Sequence, residues 1–213
     1  MTNPASERVT LKRGPIRAVY EQDEMLQVVD AGIVAHMGAM TGHGIIVLPM
    51  AYGRTDDEIL LHGSAANAML RAGGTTDVCV TITLVDGLVI ARSTFHNSMN
   101  YRSVVIRGEA RLITDEAEKV AALKIITDHV AENWDSRRDA TDKELKATMV
   151  IGVPLTEMSA KIRTGGPIDD EVDFGGPEWA GVVPLREVWG APVPFDDVQD
   201  GCQPPDSLTE LSR

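Results

Sequence analysis

The chain has 213 residues, 43% of them hydrophobic, which suits one domain with elaborations around a substantial core. Its 20 basic and 32 acidic residues leave a net charge of −12, which disfavours nucleic acid and anionic membrane surfaces as partners and requires any anionic ligand to be held by a local cluster of donors. No apolar run approaches the roughly 20 residues of a membrane span, the N-terminal segment lacks the apolar stretch of a secretory signal, and Cys79 and Cys202 read as reduced thiols of a cytoplasmic protein.

Residues 1–13 are polar and read as a flexible N-terminal arm. From Glu21 to Ala31, Met25, Leu26, Val28 and Val29 fall at helical spacing, and Gly32 can end the helix. Short runs rich in Val, Ile and Thr follow at 33–40, 44–52, 58–62, 77–84, 88–93 and 103–113. Turn chemistry separates them at Thr41-Gly42-His43-Gly44, at residues 53–57, at Gly73-Gly74 and at Val85-Asp86-Gly87. The Asp-Gly step predicts a hairpin turn. Three helical pieces interrupt this pattern. One spans 64–72. A second spans 115–130, with Thr114 as cap and Val120, Leu123, Ile126 and Val130 on one stripe. A third runs to about Thr148 from the capping box Thr141-Asp142-Lys143-Glu144. A strand over 149–153, a Gly/Pro/Asp-rich loop over 164–177 and an apolar run over 179–189 complete a domain of 14–190, and 191–213 read as a C-terminal tail. Many short strands joined by tight turns predict a mainly β protein with helices (α+β) and an antiparallel sheet that closes or nearly closes.

Three clusters carry polar chemistry. At Leu61-His62-Gly63-Ser64-Ala65-Ala66-Asn67 a strand runs into a helix, whose free first-turn amides make an anion site, with His62, Ser64 and Asn67 as added donors. The plainer reading makes Ser64 only a cap. Residues 91–103 hold Arg92, His96, Tyr101, Arg102 and Ser103 in a loop suited to a polar ligand, or else form a solvated loop. In Ser159-Ala160-Lys161-Ile162-Arg163, alternation puts Lys161 and Arg163 on one face, either to hold a phosphate or to pair with Asp169, Asp170 and Glu171. His36 and His43 flank a turn where a haem or metal ligand is conceivable, His129 reads as a surface residue, and Trp189 either stacks on a planar cofactor or packs in the core. There is no CxxC, HExxH or other spaced metal set, no P-loop, no Gly-x-Ser-x-Gly elbow and no Gly-x-Gly-x-x-Gly after a strand. That pattern argues against a structural zinc protein, a hydrolase, a P-loop phosphotransferase and a Rossmann dehydrogenase, and leaves a bound cofactor as the carrier of chemistry.

The order of segments Leu48–Arg54, Leu61–Ala66, Leu84–Ser93, His96–Val104, Ser159–Gly165 and Trp179–Leu185 resembles the nitroimidazole-reductase-like flavin-nucleotide-binding group of the pyridoxamine 5′-phosphate oxidase-like split barrels, over roughly residues 14–190. The resemblance implies a six-stranded antiparallel Greek-key split β-barrel that forms a homodimer with FMN or FAD in clefts between subunits. It places the flavin phosphate at His62, Gly63, Ser64 and Asn67, the ring edge along Pro49, Met50 and Ala51, Arg102 and Ser103 near the ring, and Trp189 against it. It assigns His96, Tyr101 and Arg102 as candidate catalytic or substrate-side residues. Relatives carry a basic residue where this chain has Ala68, so Lys161 or Arg163 must compensate. The Arg-x-His-x-Arg substrate motif of the oxidase branch is missing, which argues against pyridoxamine-phosphate oxidase activity itself. The implied function is a flavin-dependent oxidoreductase passing hydride or electrons from a reduced donor to a small-molecule acceptor. The alternatives are a haem-binding or haem-degrading protein on the same barrel, with His36, His43, His62 or His96 as ligand, and a non-catalytic flavin store.

Overall fold

The computed structural model describes residues 3–73, 76–199 and 201–211. In chain order the elements are β1 (Ala18–Val19), α1 (Gln22–Ala31), β2 (Val34–Thr41), β3 (Gly44–Arg54), β4 (Glu58–Ser64), α2 (Ala68–Gly73), β5 (Asp77–Ile90), β6 (Ser98–Glu109), β7 (Arg111–Leu112), α3 (Glu116–Val130), α4 (Asp142–Ala147), β8 (Thr148–Pro154), β9 (Glu157–Arg163), β10 (Gly181–Pro184) and α5 (Asp206–Thr209). The fold is mainly β with helices, as the pattern predicts, and the pairings given below are antiparallel. The chain gathers into two compact units: Met1–Gly32 with Thr81–Val105 and Met158–Glu187, and Ile33–Val80 with Ile106–Glu157 and Val188–Arg213. Ten strand segments occur among the described residues, against the six that the resemblance implies. Two of them, β1 and β7, are two-residue pieces that extend the ends of the strand order.

In the first unit the strand order is β1-β9-β6-β5, with β10 pairing β5. Met25, Val28 and Val29 form the buried stripe of α1. The hairpin expected at Asp86-Gly87 does not form, because β5 runs straight through it. Gly87 lies opposite Pro184, and a Cβ there would stand 2.7 Å from the Val183 carbonyl oxygen, so glycine serves the close approach of β10 rather than a turn. Asp86 is engaged on both sides: its carbonyl accepts from the Leu185 amide at 3.0 Å, and its carboxylate takes the Arg102 fork. The loop expected over 91–103 is shorter, since Ser98–Ser103 already belong to β6. Within the arm expected to be loose, Val9 is buried and the Leu11 amide donates to the Tyr20 hydroxyl at 2.7 Å. Met1 and Thr2 of that arm lie outside the described residues.

In the second unit the order is β2-β3-β4-β8-β7. The turn predicted at Thr41–Gly44 closes the β2–β3 hairpin, and Gly44 takes a φ of 105°, a backbone state that favours glycine. Gly53 lies within β3 rather than in the following turn. A Cβ on it would come within 2.8 Å of the Ile125 carbonyl oxygen, so the strand accepts the α3 backbone directly. Leu60, Ile113, Ala122, Ile126 and Val150 form the core cluster beneath α3. The cap of α3 is Asp115, not Thr114: its carboxylate accepts from the Glu118 amide at 2.9 Å. The capping box at Thr141 and Glu144 forms as predicted. His129 is half-buried with its ring 4.7 Å from that of Tyr52, so it is not the surface residue its helix position suggested. The tail expected after residue 190 carries α5, and the Ser207 hydroxyl donates to the Glu132 carbonyl. Gly74, part of the turn expected at Gly73-Gly74, and Asp200, Ser212 and Arg213 of the tail lie outside the described residues.

Candidate functional site

The corner after β4 differs from its sequence reading. His62, Gly63 and Ser64 are the last three residues of the strand, and α2 starts four residues later, capped by Asn67 through the Met69 amide at 2.9 Å. The amides expected to be free are taken. Ala65 donates to the Ala147 carbonyl at 2.8 Å, Ala66 to the Ser64 hydroxyl at 3.2 Å, and Asn67 to the Ser64 carbonyl at 2.8 Å. What remains for a ligand are side-chain donors: the Ser64 hydroxyl hydrogen, the Asn67 amide nitrogen and His62. Burial pushes the His62 pKa down, and its buried Nδ1 has no partner. Met50 and Asn67 flank Gly63, each with an atom 3.8 Å from where a Cβ would stand, while Leu70 fills that space at 2.7 Å. Arg71, which sequence reasoning did not single out, reaches back to the Ala66 carbonyl at 3.3 Å. Its signal was available, a cation one turn into the helix after a Gly-Ser step.

The same unit holds the other histidine candidates and Trp189. The register sets His36 opposite Pro49, Ala35 opposite Met50 and Val34 opposite Ala51. Exposed His36 thus shares one face of the hairpin with Val34, Met40, Ile45 and Val47, all exposed apolar residues. His43 sits at the hairpin tip, its amide held by the Thr41 hydroxyl at 3.2 Å. Trp189 is exposed and lies outside any helix or strand, so it is not a core residue. No group of three or more His, Cys, Asp or Glu that could hold a metal ion occurs among the described residues. Both cysteines are free, and no helix among the described residues is long and apolar enough to cross a membrane.

In the first unit, Arg102 holds Asp86 in a fork at 2.7 and 3.0 Å, which raises the Arg102 pKa and neutralises its charge. The Ser103 hydroxyl meets that of Thr83 at 2.9 Å, and Tyr101 is half-buried. His96 contacts Asp170 at 3.1 Å, and Arg92 contacts Asp169 at 2.6 Å. Two of the three acidic residues offered by sequence as partners of Lys161 and Arg163, Asp169 and Asp170, are therefore engaged elsewhere. The Arg92 amide, followed by its guanidinium, holds the Asp169 pKa below the usual carboxylate range. Lys161 donates to the Arg13 carbonyl at 3.2 Å, while Arg163, on the same strand face, is buried against Asn100 and the Gly165 and Gly166 carbonyls.

Comparison with known proteins gives this geometry a setting. The family described as pyridoxamine 5′-phosphate oxidase matches residues 21–162. No curated protein matches the chain. The structure of the flavocytochrome Anf3 from Azotobacter vinelandii is 36% identical, covers 99% of both chains and superposes with a TM-score of 0.94. The structure of the FAD and heme binding protein from Mycobacterium smegmatis is 31% identical over 90% of this chain and 95% of that one, with a TM-score of 0.85. A putative 5-nitroimidazole antibiotic resistance protein from Bacteroides thetaiotaomicron shares the fold at 23% identity over 68% of this chain and 86% of its own, with a TM-score of 0.58. The family match across most of the chain and the two relatives above 30% identity lead to one conclusion: the chain belongs to the pyridoxamine 5′-phosphate oxidase-like family of split barrels.

Proposed function

We propose that this protein is a flavin-nucleotide-binding oxidoreductase: a homodimer of split barrels that holds FMN or FAD between subunits and passes hydride or electrons from a reduced donor to a small organic acceptor. The observation that carries this reading is the likeness, over 99% of both chains, to a structure described as a flavocytochrome. The chain's own residues fit the group. The orphaned His62 Nδ1 and the side-chain donors of Ser64 and Asn67 suit a phosphate or ring heteroatom. Pro49, Met50 and Ala51 offer backbone to a ring edge, Trp189 is free to lie against it, and the exposed apolar face of β2 and β3 suits a second subunit. When bound, the flavin supplies the redox chemistry. The protein side chains orient and polarise: Arg102 and Ser103 stand for the ring side, and His96 and Tyr101 for the substrate side. Titration with FMN and FAD, followed by flavin fluorescence, tests this reading. A protein that is purified colourless and quenches neither nucleotide would end it.

A second reading adds haem. It is supported by the relative described as binding FAD and heme, and by His36 standing on an exposed apolar strand face. Haem titration should give a Soret shift that one of His36→Ala, His43→Ala, His62→Ala or His96→Ala abolishes. No shift with the unaltered protein removes this reading.

A further inference from the structure

In the first unit, the loop after β9 runs between two copies of one triplet, Gly165-Gly166-Pro167 and Gly175-Gly176-Pro177. Gly165 and Gly175 take φ values of 92° and 77°, and a Cβ built on either meets nothing within 4 Å, so both ends are glycine corners in open space. Burial does not hold the segment between them, since Ile168, Val172 and Phe174 are exposed. Beyond Gly166, its hydrogen bonds and ion pairs with the rest of the chain come, among the described residues, from two adjacent carboxylates. Asp169 accepts from the Arg92 amide at 2.9 Å and from Arg92 Nη1 at 2.6 Å, and its side chain is only 2% exposed. Asp170 meets His96 Nε2 at 3.1 Å. The receiving turn is itself tied: the Asn97 side chain accepts from the Ala91 amide at 2.9 Å, and the Ser93 carbonyl from the His96 amide at 3.3 Å. It also holds donors that the two carboxylates leave idle, because buried Arg92 Nε and Ser93 Oγ have no partner. An arginine fork with a spare Nε, its own amide and a neighbouring hydroxyl suit a free carboxylate. A loop fastened by two polar contacts, with its apolar side chains in water, is a segment that opens locally.

We propose that residues 165–177 form a hinged flap, and that Asp169 and Asp170 occupy a site on Arg92, Ser93 and His96 built for the carboxylate of a small organic ligand. Such a ligand opens the flap by taking the place of Asp169. The two carboxylates are thus an internal competitor, and the flap admits a ligand only in exchange for the latch. That this ligand is the electron acceptor rests on the flavin reading. The latch and the carboxylate site do not, and their test uses no flavin.

The experiment compares the unaltered protein with Asp169→Ala, using acetate as the probe and chloride at equal ionic strength as the control. Far-UV circular dichroism checks that the variant folds. Chymotrypsin cleavage after exposed Phe174 reads the open flap. Losing a charge-assisted latch should speed that cleavage by about tenfold or more. Acetate should speed cleavage of the unaltered protein and leave that of the variant, whose flap is already free, unchanged. In the variant, acetate should also move the Arg92 amide resonance saturably, at a concentration lower than in the unaltered protein by the same factor as the gain in cleavage. Arg92→Gln/Asp169→Ala should lose that response. Acetate that leaves cleavage of the unaltered protein unchanged makes the latch a structural staple and overturns the proposal, whether or not the variant folds. A folded Asp169→Ala protein with no saturable response overturns it as well. A protein that binds no flavin but passes these tests loses the flavin reading and keeps the carboxylate site.

Discussion

His62 carries a testable electrostatic signature. Its folded pKa is lowered by burial, so near and below pH 6.5 the unfolded chain takes up a proton that the folded chain resists. Stability contributed by the neutral ring is complete above that range and falls with pH, by up to about 1.4 kcal/mol per unit at the steepest point. The thermal midpoint of the unaltered protein should therefore drop more between pH 7 and pH 5 than that of His62→Gln, and parallel curves would refute the assignment. Asp169 is shifted in the same direction from its own ordinary value. Its folded pKa is depressed by the Arg92 amide, then by the guanidinium, so its contribution is present above the ordinary carboxylate range and is lost as pH falls through the folded value. Asp169→Asn should remove that acid-side loss, seen as a flatter unfolding curve below about pH 4. The identity of these candidates was legible from residue type and spacing. Their partners were not, since Arg92 and Asp169 are 77 residues apart.

Elements were legible where the signal is local and misread where a neighbour overrides it. The capping box at Thr141, the α1 stripe and the hairpin at Thr41–Gly44 depend on contacts within a few residues, and they form as expected. Asp86-Gly87 has the composition of a turn but is held straight by β10 and Arg102. Gly87→Ala should push a methyl group into the Val183 carbonyl and cost about 1–3 kcal/mol. Hydrogen exchange of the β10 amides should rise, and unchanged protection would show that the strand can shift without loss. At the other helix start, Asp115→Ala should cost about 1 kcal/mol in denaturant melts and Thr114→Ala much less, since the Asp115 carboxylate caps α3.

For the whole molecule, the proposed homodimer concentrates on one surface. Met40, Ile45 and Val47 are 60%, 73% and 59% exposed on the hairpin face that also carries His36 and Pro49. A contiguous apolar strand face of this kind favours association, and the proposed homodimer would cover it. Ile45→Glu/Val47→Glu should convert a dimer to a monomer in sedimentation velocity and weaken flavin binding with it. A monomeric unaltered protein would contradict the assembly. The net charge of −12 works against association at low ionic strength, so added salt should favour the dimer.

The amino-acid sequence by itself determined the mainly β class, most of the helix and strand positions and the family resemblance, because periodicity, caps and turn residues act over a few positions and a string of motifs in order is specific. Tertiary structure alone decided which donors remain. It took up the amides after Ser64, paired Arg102 with Asp86, and brought Lys161 to the Arg13 carbonyl, two residues 148 positions apart. Charge compensation depends on distances in space, and residue order does not contain them until the strands have paired.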